Sequence, residues 1–132
     1  MPKVVFKKNR LVPQDMVVEA PAGHTLLEIA EDHGAPVGSN CGGVCGCSTC
    51  HVYVAQGFDS LNDMSDREAD RLDLAFDVRL HSRLGCQSVL QEGDVVVEIA
   101  EESLQAFLDE NPDIRKEFDA TGVLPIRPRK HH

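Results

Sequence analysis

The sequence predicts an α+β domain. Short runs rich in valine and isoleucine alternate with segments of helical period, and a glycine-punctuated stretch between them holds four of the five cysteines. At 132 residues the chain has ordinary single-domain size and can bury a real core.

The elements follow in order. Val4-Val5-Phe6 and Met16 to Ala20 read as two short strands joined by a turn holding Asn9 and Pro13. Thr25-Leu26-Leu27-Glu28 fits a capping box, in which the threonine oxygen and the glutamate carboxylate satisfy free amides at a helix start. Leu26, Ile29 and Ala30 form the buried face of that helix, and Gly34 with Pro36 ends it. The cysteine stretch, Ser39 to His51, is expected to be irregular, and His51-Val52-Tyr53-Val54 leaves it as a strand.

Residues 66 to 77 have helical period, with Ala69, Leu72 and Phe76 toward the core. Asp66, Asp70, Asp73 and Asp77 line one stripe of that helix, while Arg67 and Arg71 project to another side. Cys86 lies beyond it, near a short strand. Asp94 to Ile99 is the last strong strand, with Val95, Val97 and Ile99 on its buried face. After Ala100 the composition shifts. A helix over 101–109 would turn Leu104, Phe107 and Leu108 inward, a second would start at Asn111-Pro112 and run to Phe118, and the tail from Gly122 would be extended. The expected division is a domain over 1–100 and a partly helical C-terminal extension over 101–132, packed on it.

Net charge is -9, with 22 acids against 13 lysines plus arginines. That balance argues against nucleic acid or an anionic membrane as partner, and for a partner with a basic surface. No apolar run approaches the ~20 residues that span a bilayer. The charged start, Lys3 to Lys8, does not read as a secretory signal. The expected place is the bacterial cytoplasm, or the mitochondrial matrix for a processed chain, and the expected state is a monomer.

An odd cysteine count in a reducing compartment favours metal over disulfides. The spacing is Cys41-x5-Cys47-x2-Cys50, then Cys86 after a gap of 35 residues, with Cys45 left over. Soft thiolates favour zinc or iron–sulfur clusters. Zinc sites with four cysteines usually draw on two C-x2-C knuckles, and this chain has one. A longer loop suits a binuclear [2Fe–2S] cluster, and Gly42, Gly43 and Gly46 let backbone amides approach its sulfides. A zinc-stabilised, non-redox binding module remains the rival of a different class. A thiol oxidoreductase built on Cys47-x-x-Cys50 would leave Cys41 and Cys86 unexplained.

Three motifs carry a resemblance: Cys41-x5-Cys47-Ser48-Thr49-Cys50-His51, Asp70-x-Leu72-Asp73-Leu74-Ala75, and Ser82-Arg83-Leu84-Gly85-Cys86-Gln87. Over about residues 3 to 100 the chain resembles the adrenodoxin-like, or vertebrate-type, [2Fe–2S] ferredoxins. Within them it looks like the bacterial branch that serves iron–sulfur cluster assembly. The resemblance implies a β-grasp (ubiquitin-like) fold with the cluster at its edge. It also implies Cys41 and Cys47 on one iron, and Cys50 and Cys86 on the other. His51 would tie the cluster loop to the acidic-helix region, and Thr49 would support the loop.

The family resembled is one of electron carriers, not enzymes. Electrons would come from a flavoprotein NAD(P)H:ferredoxin reductase and pass to a cysteine desulfurase–scaffold complex. A cytochrome P450 or other oxygenase is the alternative acceptor. Assembly-type members carry an additional cysteine where Cys45 stands, a possible functional thiol beside its bland reading as a packed one. Asp63, Asp66, Glu68, Asp70, Asp73 and Asp77 would form the docking surface for basic partners. Arg67 and Arg71 depart from a purely acidic segment, Phe76 lacks a tyrosine's hydroxyl, and the resemblance stops short of the tail.

Overall fold

The computed structural model describes residues 2–38, 50–73, 78–79 and 81–124. Its centre is a five-stranded mixed sheet in the order β2-β1-β5-β3-β4. β1 (Lys3–Phe6) and β2 (Met16–Glu19) form an antiparallel pair with Val4 opposite Val18. The turn between them is organised by Asn9, whose side-chain oxygen accepts from the amides of Leu11 at 2.8 Å and Val12 at 3.0 Å. Leu11 and Val12 are thereby buried, although they lie in a connection.

α1 (Leu26–His33) starts at the expected capping box. Thr25 Oγ1 accepts from the Glu28 amide at 3.1 Å, and the Glu28 carboxylate accepts from the Thr25 amide at 3.1 Å. The helix ends at Gly34, whose φ of 76° is left-handed. Its inward face is one residue wider than the sequence reading, because Leu27 is buried along with Leu26, Ile29 and Ala30.

β3 (His51–Gln56) lies between β5 (Val95–Ile99), the middle strand, and the edge strand β4 (Ser82–Leu84), antiparallel to both. β1 runs parallel to β5, with Val4 opposite Val95. A single turn of 3-10 helix (Phe58–Ser60) follows β3, entered through Gly57 at φ 80°. α2 is described over Asp66–Leu72, capped by Ser65, whose hydroxyl accepts from the Glu68 amide at 3.1 Å. The remainder of the helix read from the sequence, including Phe76 and Asp77, falls outside the described residues.

α3 (Glu101–Glu110) and α4 (Pro112–Thr121) follow β5, the second running three residues beyond Phe118 to a left-handed Gly122. Proline opens α4 where its missing amide hydrogen costs nothing. Leu104, Leu108, Ile114 and Leu124 join the same buried cluster as Val4, Phe6, Ile29, Val52 and Val97. Each such side chain contributes about 1.5–3 kcal/mol of burial. Phe107 is only partly buried against this cluster. Among the described residues no helix is long and apolar enough to cross a membrane.

Candidate metal centre

The register of the β3–β4 pair brings two distant cysteines together. His51 stands opposite Leu84, so Cys50, just before β3, meets the turn just after β4. The Gly85 amide donates to the Cys50 carbonyl at 2.8 Å. The next amide, that of Cys86, donates to Cys50 Sγ at 3.4 Å. A Cβ at Gly85 would stand 3.2 Å from the Cys50 carbonyl oxygen, a tight contact that the turn would have to relax to admit.

The same turn satisfies the start of α1. The Leu27 amide donates to the Gly85 carbonyl at 3.1 Å and the Leu26 amide to Ser88 at 2.9 Å, which occupies two of the free donors of a helix start. Gln87 Nε2 lies 3.8 Å from Cys86 Sγ.

Both thiols are buried and neither is in a disulfide. A soft metal takes sulfur as thiolate, and the Cys86 amide hydrogen directed at Cys50 Sγ supports that charge where burial alone would oppose it. Cys50 and Cys86 therefore fit as ligands of an iron–sulfur centre. Cys41, Cys45 and Cys47, with Gly42, Gly43, Gly46 and Thr49, fall outside the described residues. Among the described residues no group of three metal-ligating side chains occurs.

His51 is fully buried, its Nε2 2.8 Å from Ser82 Oγ, and that oxygen accepts from the Arg79 amide at 2.7 Å. The residue after Cys50 is thus tied to the segment that leads from the acidic helix into β4. Tyr53 meets the His51 ring edge-on at 4.8 Å and carries the Arg79 guanidinium over its own ring at 4.3 Å.

One residue assigned to the docking surface is misplaced there. Glu68 is fully buried, not exposed, and its carboxylate pairs with Arg83, itself only 1% exposed. Arg83 Nε donates to Glu68 Oε2 at 2.6 Å and Nη2 to Oε1 at 3.0 Å, a bidentate pair. The Leu84 amide donates to the same carboxylate at 3.0 Å. Arg83 Nη1 also reaches the Asn62 carbonyl at 2.9 Å, and the Asn62 side chain bonds Gln87 O and the Val89 amide. Glu68, Arg83 and Asn62 thus grip the Cys86 turn on both sides.

Neither Arg83 nor Asn62 was singled out from the sequence. The available signal was a full positive charge inside a short strand of otherwise small or apolar residues. Asp63, Asp66, Asp70 and Asp73 are exposed, as are Arg67 and Arg71.

Comparison with known proteins agrees with this geometry. Residues 9–91 match the family described as the 2Fe-2S iron-sulfur cluster binding domain. The chain is 49% identical over 105 residues to a 2Fe-2S ferredoxin of Haemophilus influenzae, covering 79% of this chain and 93% of the relative. Among solved structures, an ISC-like [2Fe-2S] ferredoxin from Pseudomonas putida superposes with TM-score 0.72 at 41% identity, over 76% of this chain and 94% of that one. The putidaredoxin of a covalent putidaredoxin reductase–putidaredoxin complex superposes with TM-score 0.63 at 27% identity, over 74% and 96% of the two chains. The matched span contains all five cysteines, which removes the zinc alternative and accounts for a β3–β4 pair that brings two buried thiols together at one sheet edge. A β-grasp sheet with that thiol pair and those relatives places the chain in the [2Fe–2S] ferredoxin family of one-electron carriers, among its adrenodoxin-like bacterial members.

Proposed function

We propose that this ferredoxin takes electrons from a flavin-dependent NAD(P)H:ferredoxin reductase and supplies them to a cysteine desulfurase–scaffold complex, in the bacterial cytoplasm, for iron–sulfur cluster assembly. Cys41, Cys47, Cys50 and Cys86 are the residues that would hold the cluster. When bound, the cluster supplies reversible one-electron uptake, at a potential set by burial and by hydrogen bonds to its sulfurs. The chain's own contribution is to bury the Cys50 and Cys86 sulfurs, aim the Cys86 amide at Cys50 Sγ, and hold the Cys86 turn by Arg83 and Asn62. Residues 1–100 form the ferredoxin unit and 101–132 an extension on it.

The observation that carries the assembly role is the likeness to an ISC-like ferredoxin, at higher identity and TM-score than to putidaredoxin. Cys45 is a second support, as a thiol beyond the four ligands. The reductase rests on putidaredoxin's complex with its own reductase and on the exposed Asp66, Asp70 and Asp73, which suit a basic docking face.

Oxidised and reduced protein should bind a cysteine desulfurase–scaffold complex at low salt and release it as salt rises. Sulfide production from cysteine in the same tubes should depend on the reduced ferredoxin. No binding and no electron-dependent sulfide would overturn the assembly role and move the acceptor to a cytochrome P450 or another oxygenase.

A further inference from the structure

The junction of β5 with α3 bonds to both flanks of the segment that contains Cys41, Cys45, Cys47 and Cys50, through Ser103 in the first turn of α3 and through its N-cap residue Ala100, which extends the β3–β5 pairing. On one flank, the Gly38 amide donates to Ser103 Oγ at 2.8 Å, across 65 residues of chain. On the other, the Ala100 amide donates to the His51 carbonyl at 3.2 Å. Gly38 stands three residues before Cys41, and His51 directly follows Cys50.

Ser103 is fully buried, a position where alanine would serve a helix better. Its hydroxyl is explained by the Gly38 amide, which a buried apolar neighbour would leave unsatisfied. Leu104 and Leu108 insert in the core and prevent α3 from sliding.

We propose that α3 is a clasp on the cluster-binding loop, with Ser103 as a positioning residue that fixes where the chain enters the loop toward Cys41. Holding both ends lowers the entropy the empty loop can gain, so the clasp slows cluster release and keeps the ligands in register. The C-terminal extension is then part of the cofactor site and not a decoration. This rests on the assignment of Cys41 as a ligand.

Release of the cluster from the full-length protein into excess chelator tests it, followed by visible absorbance at a fixed margin below each variant's far-UV melting point. Ser103→Ala should release about fivefold faster than the parent and alter the visible circular dichroism. Ala100 has φ −66°, so Ala100→Pro removes the second bond without a new backbone angle and should act in the same direction. Val18→Ala, a core truncation on β2 at the opposite edge of the sheet from β4, touches neither flank nor α3 and should match the parent in both readouts. Release rates and spectra for Ser103→Ala and Ala100→Pro that equal those of Val18→Ala would overturn the clasp. Cys41→Ser tests the ligand assignment separately: an unchanged visible spectrum there removes the premise, whereas a lost spectrum with unaltered clasp variants sinks the clasp alone.

Discussion

Glu68 and Arg83 place a full ion pair in the interior beside the Cys86 turn, each side chain 1% exposed. Such a pair gains little net stability when intact, because both charges lose water, but removing one partner strands the other. Arg83→Met should therefore cost about 3–5 kcal/mol, read by urea unfolding, and Glu68→Gln combined with it should recover much of that loss. A double variant no more stable than the single one would show that the arginine's bonds to Asn62 matter more than the charge. The thiols give a second prediction at this scale. Cys86→Ser should abolish or grossly change the visible spectrum, while Cys45→Ser should leave it nearly unchanged. A parent-like spectrum for Cys86→Ser would contradict the pairing of Cys50 with Cys86 at one metal centre.

The elements show why some features were legible and others not. The capping box at α1 needs only four consecutive residues, so Thr25 and Glu28 declare it in sequence. Its energetics are equally local. The backbone amide of Thr25 chiefly holds the Glu28 carboxyl below the usual glutamate range, against a smaller opposing effect of burial and with help from the Thr25 and His24 side chains. A carboxyl with a depressed folded pKa contributes stability that is present above its unfolded value and is lost as pH falls through the folded value. The stability gap between parent and Glu28→Gln should thus be largest at neutral pH and close under acid conditions. Thr25→Ala should cost about 1 kcal/mol. Gly57 was not legible in the same way. Its φ of 80° and the collision a Cβ would make with the Asp94 carbonyl arise from β3 meeting the β5 turn, a contact between remote segments. Gly57→Ala should cost at least about 2 kcal/mol by thermal unfolding. Glu68 differs for another reason. By charge it belongs with the neighbouring aspartates as surface, yet it stands four residues before Leu72, on the buried face of the helix. The convergence of Cys50 and Cys86 depends on β3–β4 register, which no local pattern encodes. The spacing groups Cys86 with the loop cysteines at one centre, and the family resemblance adds its pairing with Cys50.

At the scale of the molecule, the charges that serve the fold, such as Glu28, Glu68 and Arg83, are distinct from those on its acidic face. The exposed Asp63, Asp66, Asp70 and Asp73 can be changed without disturbing the core. Surface substitutions of this kind usually move stability by no more than about 0.5 kcal/mol. Their effect belongs to encounter, where complementary charges raise association rates and orient the partners. Arg67 and Arg71, exposed on the same helix, partly offset the acidic field, so the acceptance of a given reductase depends on where that reductase places its own charges. Asp70→Asn with Asp73→Asn should slow reduction by the reductase about fivefold at low ionic strength. The difference should fade as salt shortens the Debye length below about 10 Å. Stopped-flow reduction followed at the visible bands, across a salt series, measures this, with unfolding curves confirming that stability is unchanged. A rate deficit that persists undiminished at high salt would mean these aspartates make short-range contacts in the complex. No deficit at any salt would remove this face from the docking surface.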